Sequence, residues 1–503
     1  MEFPLYTTTL LCGVISSTLL LLLLNKLTTW EHIVPSKVPW IDRRSEPFGY
    51  LRAKCRSFFN MKENITEAYY AFNKEGRAAA LAIAFGRPQI ILPPKYIRWI
   101  IDQPESVLSI DPIHNEFHAF VRDGLVGDHL VQEVLRRELA GHLAHLTREM
   151  NEEIADSVES VLGVSKEWAT VPLRDSMRII IARISNRLFV GKELCRNEDY
   201  IRNAVGLGMA VMPQTLVQDL LPQLLKGPLS FATKLFTRIT LAGLSGHLSP
   251  VVRQRIQDVQ TAEKDQLPLE LLTWMAQRAL QRGESATSIE EKLIARIAMA
   301  NLASIETTTN TITKCMEDMT ALSNETGGYL ELMRQEAHTV LEACNYSPIK
   351  ADLEKLVHIE NALKESLRLA VVFPGLIRQV TSRTGVTLDD GTHLPHGARI
   401  SVAAYAIHRD DANWTDAARY DPSRHEKASL PMSRGSEQLL SFGLGKRACP
   451  GRFFVTDELK LLFAHILTKY EFKVIKPPVT KVGLLKELTM RGPQEQLVIR
   501  RVK

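Results

Sequence analysis

The chain has few cysteines for its length, and their spacing fits neither a metal cluster nor a dense disulfide framework. Its 503 residues include six cysteines and no Cys-x-x-Cys pair, which indicates a reducing compartment. Strong charge of one sign is also missing, because 62 Lys and Arg against 57 Asp and Glu leave a net charge of +5. That excess is too small to predict a nucleic-acid partner. The ordinary 45% of hydrophobic residues excludes a disordered chain, a fibrous repeat and a polytopic membrane protein.

One long hydrophobic run does occur, close to the N-terminus. Residues 5–24 carry no charged side chain and end in six consecutive leucines, and about 20 apolar residues span a bilayer as a helix. The run lacks the basic segment and the small-residue cleavage site of a signal peptide, so residues 1–25 are predicted to be an uncleaved anchor. Basic residues follow the span and none precedes it, which places the remaining chain in the cytosol. Prolines in residues 26–44 predict a stiff connector.

The remainder, residues 45–503, is predicted to form one mainly helical domain with a small β region. Apolar residues recur at helical spacing over most of the chain between residues 128 and 470. The longest predicted helices cover residues 130–162, 173–190, 246–264, 287–320, 328–343, 352–369 and 451–470. Short strands are predicted at residues 82–85, 89–92, 385–388, 399–404, 471–475 and 496–501. The turn-rich stretch 409–439 shows little periodicity, and such a stretch inside a compact chain is usually functional.

The segment from Phe442 to Gly451 carries the clearest chemical signal. It reads Phe-Gly-Leu-Gly-Lys-Arg-Ala-Cys-Pro-Gly and fits the pattern F-x-x-G-x-R-x-C-x-G at every fixed position. Gly445 permits a tight loop that can lie against a flat cofactor. Because Gly451 begins a helix, Cys449 is expected at a helix N-terminus, where the thiol pKa is lowered. A thiolate ligand donates electron density to haem iron and favours O–O cleavage, and Arg447 can reach a haem propionate.

This pattern resembles the cysteine loop of the cytochrome P450 haem-thiolate monooxygenases, and a second pair of motifs supports the resemblance. Glu365 and Arg368 match the family's Glu-x-x-Arg pair and share a helix face. Residues 420–424, Tyr-Asp-Pro-Ser-Arg, resemble the family's Phe-x-Pro-x-Arg segment. The resemblance implies that Glu365, Arg368 and Arg424 form a buried network behind the haem that maintains its pocket. This chain has His425 where the family often has phenylalanine.

A third motif lies in an apolar stretch that predicts a long helix. Residues 303–308, Ala-Ser-Ile-Glu-Thr-Thr, resemble the oxygen-activating motif of the family. Ala303 and Thr307 share a helix face, where a small residue leaves room for haem and dioxygen and a hydroxyl can hydrogen-bond bound oxygen. Glu306 points elsewhere, which suggests a link in proton delivery. Ser304 replaces the usual glycine and can bond back to the carbonyl one turn earlier.

The resemblance also implies two further contacts to the haem propionates or edge. Arg378 follows the Glu-x-x-Arg helix, where the family places a propionate-binding basic residue. Arg136 resembles a basic residue of the helix that crosses the haem edge, and its neighbour Arg137 competes for that role. The predicted haem-binding set is therefore Arg136, Ala303, Arg378, Phe442, Gly445, Arg447 and Cys449, with Cys449 as the axial ligand of the iron.

The resemblance implies a monooxygenase that inserts one atom of dioxygen into an apolar small molecule. It implies haem b as the cofactor and an NADPH-dependent flavoprotein reductase as the electron donor. The segments 407–410 and 449–454 resemble those of fungal enzymes that tailor terpenoids and other secondary metabolites. Residues 107–128 and 205–245 occupy the places where the family determines substrate specificity. With the anchor, the prediction is a monomeric, single-pass protein of the endoplasmic reticulum membrane whose catalytic domain faces the cytosol and binds no nucleic acid.

Three alternatives remain open at this point. An enzyme of the same fold would rearrange peroxides or dehydrate its substrate without dioxygen or a reductase, although Glu306 and Thr307 argue against this. A haem-binding sensor or carrier would show no turnover, and the intact oxygen motif disfavours it. A membrane-anchored structural protein would bind no haem and would be colourless after purification.

Overall fold

The structure, a computed structural model, covers most of the chain beyond the predicted anchor. It describes residues 30–83, 87–121, 125, 127–220, 223–325, 328–371, 374–426, 430–475 and 495–502. The predicted membrane span at residues 5–24 lies outside these ranges. Within them, no helix combines the length and the apolar character needed to cross a bilayer.

Helices dominate the described residues, as the apolar periodicity predicts. In chain order they are α1 Gly49–Ala71, α2 Ile97–Asp102, α3 Asp111–Val121, α4 Leu130–Val134, α5 Ala140–Leu162, α6 Leu173–Phe189, α7 Lys192–Cys195, α8 Glu198–Leu220, α9 Gln223–Thr261, α10 Leu271–Gln281, α11 Ala286–Glu325, α12 Gly328–Ala343, α13 Lys350–Leu353, α14 Val357–Ala370, α15 Ala404–Ile407 and α16 Arg452–Lys469. A π-helical turn at Leu135–Leu139 joins α4 to α5.

The helical core is built around α11, which packs against α6, α8, α9 and α14. Leu293, Ile297 and Met316 of this helix are completely buried. The helix α16 contacts α5, α12 and α14 and is itself buried on nearly all sides. The two long helices that bear the sequence motifs, α11 and α16, therefore lie inside the molecule and hold their polar residues in fixed surroundings.

A second, smaller core surrounds the β region. The strands are β1 Trp40–Ile41, β2 Ala79–Leu81, β3 Gln89–Leu92, β4 Leu108–Ser109, β5 Ala169–Pro172, β6 Gly375–Val380, β7 Val386–Thr387, β8 His393–Leu394, β9 Arg399–Val402, β10 Tyr470–Ile475 and β11 Gln496–Arg501. They form a six-stranded sheet in the order β1-β2-β3-β9-β6-β4, a three-stranded sheet β10-β11-β5 and the hairpin β7-β8. The pairs β1-β2 and β3-β9 are parallel, and the remaining pairs are antiparallel.

Most predicted elements are confirmed, but some bounds differ: the helix predicted at residues 246–264 is part of α9, which covers Gln223–Thr261. Of the strand predicted at residues 82–85, residues 82 and 83 are not in a strand and residues 84 and 85 lie outside the described residues; the strand in this region, β2, lies at Ala79–Leu81. Alanine has a weak strand propensity, and pairing with β1 and β3 overrides it. The strand predicted at residues 385–388 corresponds to β7, and the turn that follows it leads to β8, a strand that was not predicted. The sequence reading missed α1 entirely, since its apolar residues are interspersed with many polar ones.

A buried hydrogen bond attaches α1 to the turn-rich stretch 409–439. The hydroxyl of Tyr69 donates to Asp410 at 2.7 Å, and Lys74 forms an ion pair with the same carboxylate at 2.9 Å. We expect Tyr69→Phe to lower the free energy of unfolding by about 1.5–3 kcal/mol, because it removes a hydrogen bond to a buried carboxylate. The measurement is the thermal unfolding midpoint.

Tyr70→Phe provides the matched control for this substitution. Tyr70 is the neighbouring tyrosine and is 45% exposed, so we expect its hydroxyl to contribute little. Equal midpoints for the two variants would contradict the role of the Tyr69–Asp410 bond.

Candidate functional site

The loop that carries Cys449 is shaped by two glycines with left-handed backbone. Gly443 has φ +68° and Gly445 has φ +70°, which residues with a Cβ adopt only at a cost. The loop closes through the amide of Cys449, which donates to the carbonyl of Phe442 at 2.8 Å. A Cβ on Gly445 would lie 3.0 Å from the Cβ of Ile101. Gly445 therefore permits both the turn and the close packing of this loop against α2.

The thiol of Cys449 lies two residues before Gly451, which caps the N-terminus of α16. Burial raises its pKa, while the backbone N–H groups of Gly451 and Arg452 and the charges of Arg452 and Arg136 act in the opposite direction. The lowered pKa predicted from the helix terminus is thus wrong for the free thiol, because burial outweighs the favourable dipoles. Metal coordination deprotonates a thiol outright, so the surrounding positive charge would favour a metal-bound thiolate.

Three arginines predicted to bind the cofactor lie in one neighbourhood. Partial burial and the positive charges of Arg447 and Arg452 lower the pKa of Arg136, whereas Cys449 raises it. Arg136 thus acts electrostatically on the cysteine loop. Arg137, its competitor, is 67% exposed in its side chain and pairs with Glu133 at 3.6 Å. The structure therefore places Arg136, and not Arg137, beside the loop.

Arg378 lies on β6 and is only 5% exposed. Burial lowers its pKa, and the charge of Arg447 lowers it further, while Glu105 and Asp111 raise it. Arg447 donates from Nε to Glu105 at 2.6 Å. Glu105 is thus a carboxylate that interacts with the guanidinium groups of both Arg378 and Arg447. No sequence motif marks Glu105 as part of this site.

The motif of α11 divides into an open face and a buried face. Ala303 and Thr307 are both exposed although the helix runs through the core, while Ile305 and Thr308 between and beside them are buried. The shared face predicted for Ala303 and Thr307 is confirmed, and it borders an accessible space. The hydroxyl of Thr307 donates to the carbonyl of Ala303 at 2.8 Å.

Glu306 points away from this open side, whereas the partly exposed Ser304 lies at its edge. Glu306 forms an ion pair with Nε of Arg178 on α6 at 2.7 Å; burial raises the pKa of Glu306, and Arg178 opposes that shift. The hydroxyl of Ser304 lies 2.8 Å from that of Ser185, also on α6. Instead of bonding back along its own helix, Ser304 therefore links α11 to α6. Arg178 and Ser185 lie more than a hundred residues before their partners, and no motif marked them.

A fully buried carboxylate, that of Glu365, organises the irregular segment that precedes the cysteine loop in the chain. Glu365 accepts from Arg368 at 2.8 and 2.7 Å, from Nε of Arg424 at 2.8 Å and from His425 at 2.9 Å. The amide of Asp421 donates to it at 3.1 Å. Burial alone would raise its pKa, but the bonds from Arg368 and His425 hold the pKa at about 2. The predicted contact of Glu365, Arg368 and Arg424 is confirmed.

His425 has a role that the sequence does not predict. The family often has phenylalanine at this position, whereas here Nε2 of His425 must donate a hydrogen bond to the Glu365 carboxylate. Burial lowers the pKa of His425 despite that carboxylate, so the ring is a neutral donor at pH 7. It adds a donor to Glu365 without adding another buried positive charge.

These residues fit a haem group. Cys449 supplies the single soft sulfur ligand that haem-thiolate iron requires. Arg136, Arg378 and Arg447 form a cationic cluster in which the pKa values of Arg136 and Arg378 are lowered, so additional carboxylates such as two propionates would stabilise it. The open face at Ala303 and Thr307 provides accessible space where a substrate and dioxygen can approach.

Comparison with known proteins gives concordant matches. The family model described as cytochrome P450 matches residues 129–497. The chain is 49% identical to cytochrome P450 monooxygenase gloO of Glarea lozoyensis, over 99% of this chain and 98% of that protein. It is 28% identical to monooxygenase polB of Polytolypa hystricis, over 88% of this chain and 89% of that protein. Ent-kaurene oxidase of Gibberella intermedia is also 28% identical, over 88% of this chain and 84% of the relative.

A solved structure has the same fold. The haem domain of cytochrome P450DA superposes with a TM-score of 0.66 and 16% sequence identity, covering 93% of this chain and 99% of the other. At that identity the likeness shows the architecture. It agrees with the predicted combination of many helices and a small β region.

Removal of the Glu365 charge tests the buried network. We expect Glu365→Gln to lower the free energy of unfolding by about 3–5 kcal/mol, because Arg368 would remain buried without a counter-charge. The depressed pKa of about 2 means that the carboxylate contributes fully above its ordinary pKa of 4.5 and loses this contribution as the pH falls towards 2. Thermal unfolding between pH 7 and pH 3 measures both effects.

His425→Phe is the comparison variant. It removes one neutral donor and leaves both arginine pairs, so we expect a loss of only about 1 kcal/mol. A Glu365→Gln variant that is as stable as His425→Phe, with unchanged acid sensitivity, would contradict the central role of the Glu365 charge.

Proposed function

Because the chain belongs to the cytochrome P450 family and is a monooxygenase, we propose that its substrate is an apolar, terpenoid-type intermediate of secondary metabolism. One atom of dioxygen would enter a C–H or C=C bond of that substrate, and the other would leave as water. The setting of Cys449, a thiol in a glycine-shaped loop beside Arg136 and Arg452, carries the assignment of the reactive centre. The name of the relative ent-kaurene oxidase supports a terpenoid-type substrate.

The residues around the loop divide the work of holding haem b. Bound haem supplies the iron at which dioxygen is activated. Cys449 would provide its axial thiolate, Phe442 and Gly445 would pack beside it, and Arg136, Arg378 and Arg447 would pair with its propionates. Glu105 already holds Arg447 at 2.6 Å, so this arginine is positioned before a propionate joins it.

The open face of α11 is where we propose that oxygen and substrate meet. Ala303 leaves space there, and Thr307 carries a hydroxyl that is oriented by the Ala303 carbonyl. This hydroxyl can hold a proton at Oγ1 for delivery to the oxygen side. Glu306, which points away from the open face, would exchange protons only when its ion pair with Arg178 opens. That ion pair would therefore control proton exchange by Glu306.

The redox partner is the remaining requirement of the family's chemistry. We propose an NADPH-dependent flavoprotein reductase that docks on the basic residues around the cysteine loop. Lys446 is exposed there, next to Arg447 and Arg452, and such a basic patch suits an acidic partner. The hydrophobic run at residues 5–24 supports a single-pass anchor in the endoplasmic reticulum membrane, with a monomeric catalytic domain on the cytosolic side.

The axial ligand is tested by the difference spectrum of the reduced, carbon-monoxide-bound protein. We expect the strongly red-shifted band of thiolate-ligated haem in the unsubstituted full chain and its loss in Cys449→Ala, because alanine has no ligand atom. Cys344→Ala, which removes another partly buried cysteine, should keep the band. A normal thiolate band in Cys449→Ala would contradict the assignment.

The role of Thr307 is tested by the yield of product for each NADPH consumed. We expect Thr307→Ala to keep its haem spectrum and to lower this yield about tenfold, with the difference appearing as hydrogen peroxide, because proton delivery at the oxygen side is impaired. Thr320→Ala removes a hydroxyl that bonds a carbonyl of the same helix at 2.9 Å and serves as control. An unchanged yield in Thr307→Ala would eliminate this role.

A further inference from the structure

Three polar side chains form a hydrogen-bonded chain between three core helices. Glu458 lies on α16, Ser185 on α6 and Ser304 on α11, and the first two are completely buried. The hydroxyl of Ser185 is 3.2 Å from Oε1 of Glu458 and 2.8 Å from the hydroxyl of Ser304. Oε2 of Glu458 has no hydrogen-bond partner among the described residues. This series of hydrogen bonds therefore joins the buried acid Glu458 to α11, the helix that carries the motif of residues 303–308.

Glu458 differs in its charge state from Glu365, another completely buried glutamate. Both are completely buried, but Glu365 faces two arginines whereas Glu458 has the hydroxyl of Ser185 as its bonded neighbour. An isolated carboxylate in such surroundings is costly and takes up a proton instead. Burial raises the pKa of Glu458 to about 8, and Ser185 opposes the shift only in part. At pH 7 Glu458 is therefore a neutral acid that retains a transferable proton.

The other end of this hydrogen-bonded chain, Ser304, lies at the edge of the open face of α11. Ser304 is partly exposed, and its neighbours Ala303 and Thr307 are exposed, so exposure increases along the chain from Glu458 towards Thr307. The carbonyl of Ser304 also lies 3.4 Å from the Thr307 hydroxyl. A glycine at position 304 would have no side chain to contact Ser185. The connection thus depends on the serine that distinguishes this sequence from the usual motif.

Resting on the proposed function, we propose that Glu458 supplies protons through Ser185 and Ser304 to the open face of α11, independently of the Glu306–Arg178 pair. Glu458 gives its proton to Oγ of Ser185, Ser185 gives its own to Oγ of Ser304, and Ser304 gives its own to an acceptor at the open face. Each hydroxyl gains and loses one proton, which its free rotation permits. Glu458 becomes a carboxylate, and between turnovers a solvent hydronium ion returns one proton to it through Ser304 and Ser185 and is left as water.

This role differs from a purely structural tie between the helices. Glu458 touches no substrate and acts only through the two serines, so replacement by an amide separates the two roles. Glu458→Gln keeps the size of the side chain and an oxygen that can accept from Ser185, but it has no acidic proton to transfer. A structural tie would survive this change, whereas a proton relay would not.

The experiment uses the full-length haem-loaded protein in vesicles with its reductase. We expect Glu458→Gln and Ser304→Gly each to lower the product formed per NADPH about three- to tenfold, with a matching rise in hydrogen peroxide. The double variant should lose no more than the worse single variant, because both changes interrupt one pathway. Ser157→Ala is the control, since its buried hydroxyl bonds only a carbonyl of its own helix, at 3.2 Å.

Infrared spectroscopy follows the acid itself without turnover. The carbonyl stretch of a neutral carboxylic acid should be present in the unsubstituted protein at pH 7 and should lose one component in Glu458→Gln. Ser185→Ala and Ser304→Gly should shift that component, because each alters the hydrogen bonding of the acid. Absence of a Glu458 component, or a component unchanged in both serine variants, would overturn the proposal.

The outcomes also separate the relay from the proposed function. Equal product yield in Glu458→Gln and the unsubstituted protein would overturn the relay while leaving the monooxygenase intact. The relay would also be overturned, in favour of a structural tie, if the control Ser157→Ala lost as much product per NADPH as Glu458→Gln for the same fall in thermal unfolding midpoint. If the unsubstituted protein oxidises no apolar candidate, the proposed substrate class fails, and the infrared result still decides whether the acid is connected to Ser304.

Discussion

The buried charge of Glu365 is the constraint on which the haem side of the molecule depends. A carboxylate without access to water needs every one of its donors, and they come from α14 and the irregular segment after α15. Arg368 in turn donates to the carbonyls of His408 and Ala417. His408 accepts the amide of Leu440 at 2.7 Å, two residues before the cysteine loop. One buried charge therefore determines the path of an irregular segment that hydrophobic packing alone would leave underdetermined.

Glu458 is a buried carboxyl in the opposite charge state to Glu365. Glu365 is surrounded by guanidinium groups and stays ionised, whereas Glu458 has a hydroxyl for its neighbour and stays neutral. The same burial thus produces a structural anion in one place and a proton reservoir in the other, depending on the partners. The ion pair of Glu306 with Arg178 lies between these extremes, because its carboxylate is paired but only partly withdrawn from water.

Structural features that depend on neighbouring residues, such as helices and turns, were predicted well from the sequence. Features that depend on contacts between distant segments were not. The helices α5, α6, α12 and α16 follow the spacing of apolar residues, and the cysteine loop follows its glycines. The strand β2 was misplaced because two alanines acquire strand structure only through their neighbours in the sheet. The thiol pKa was misjudged because the dipole at a helix terminus is local, whereas burial depends on the whole fold.

By itself, the sequence determined the family, the cysteine loop and the pairing of Glu365 with Arg368, because each depends on residues within a few turns of one another. Tertiary structure alone decided that Arg136 rather than Arg137 faces the loop, since adjacent residues on a helix point in different directions. It also decided that Ser185 meets both Ser304 and Glu458, because these residues come from three separate helices. A hydrogen bond needs atoms within about 3 Å, and only the folded chain brings such distant residues that close.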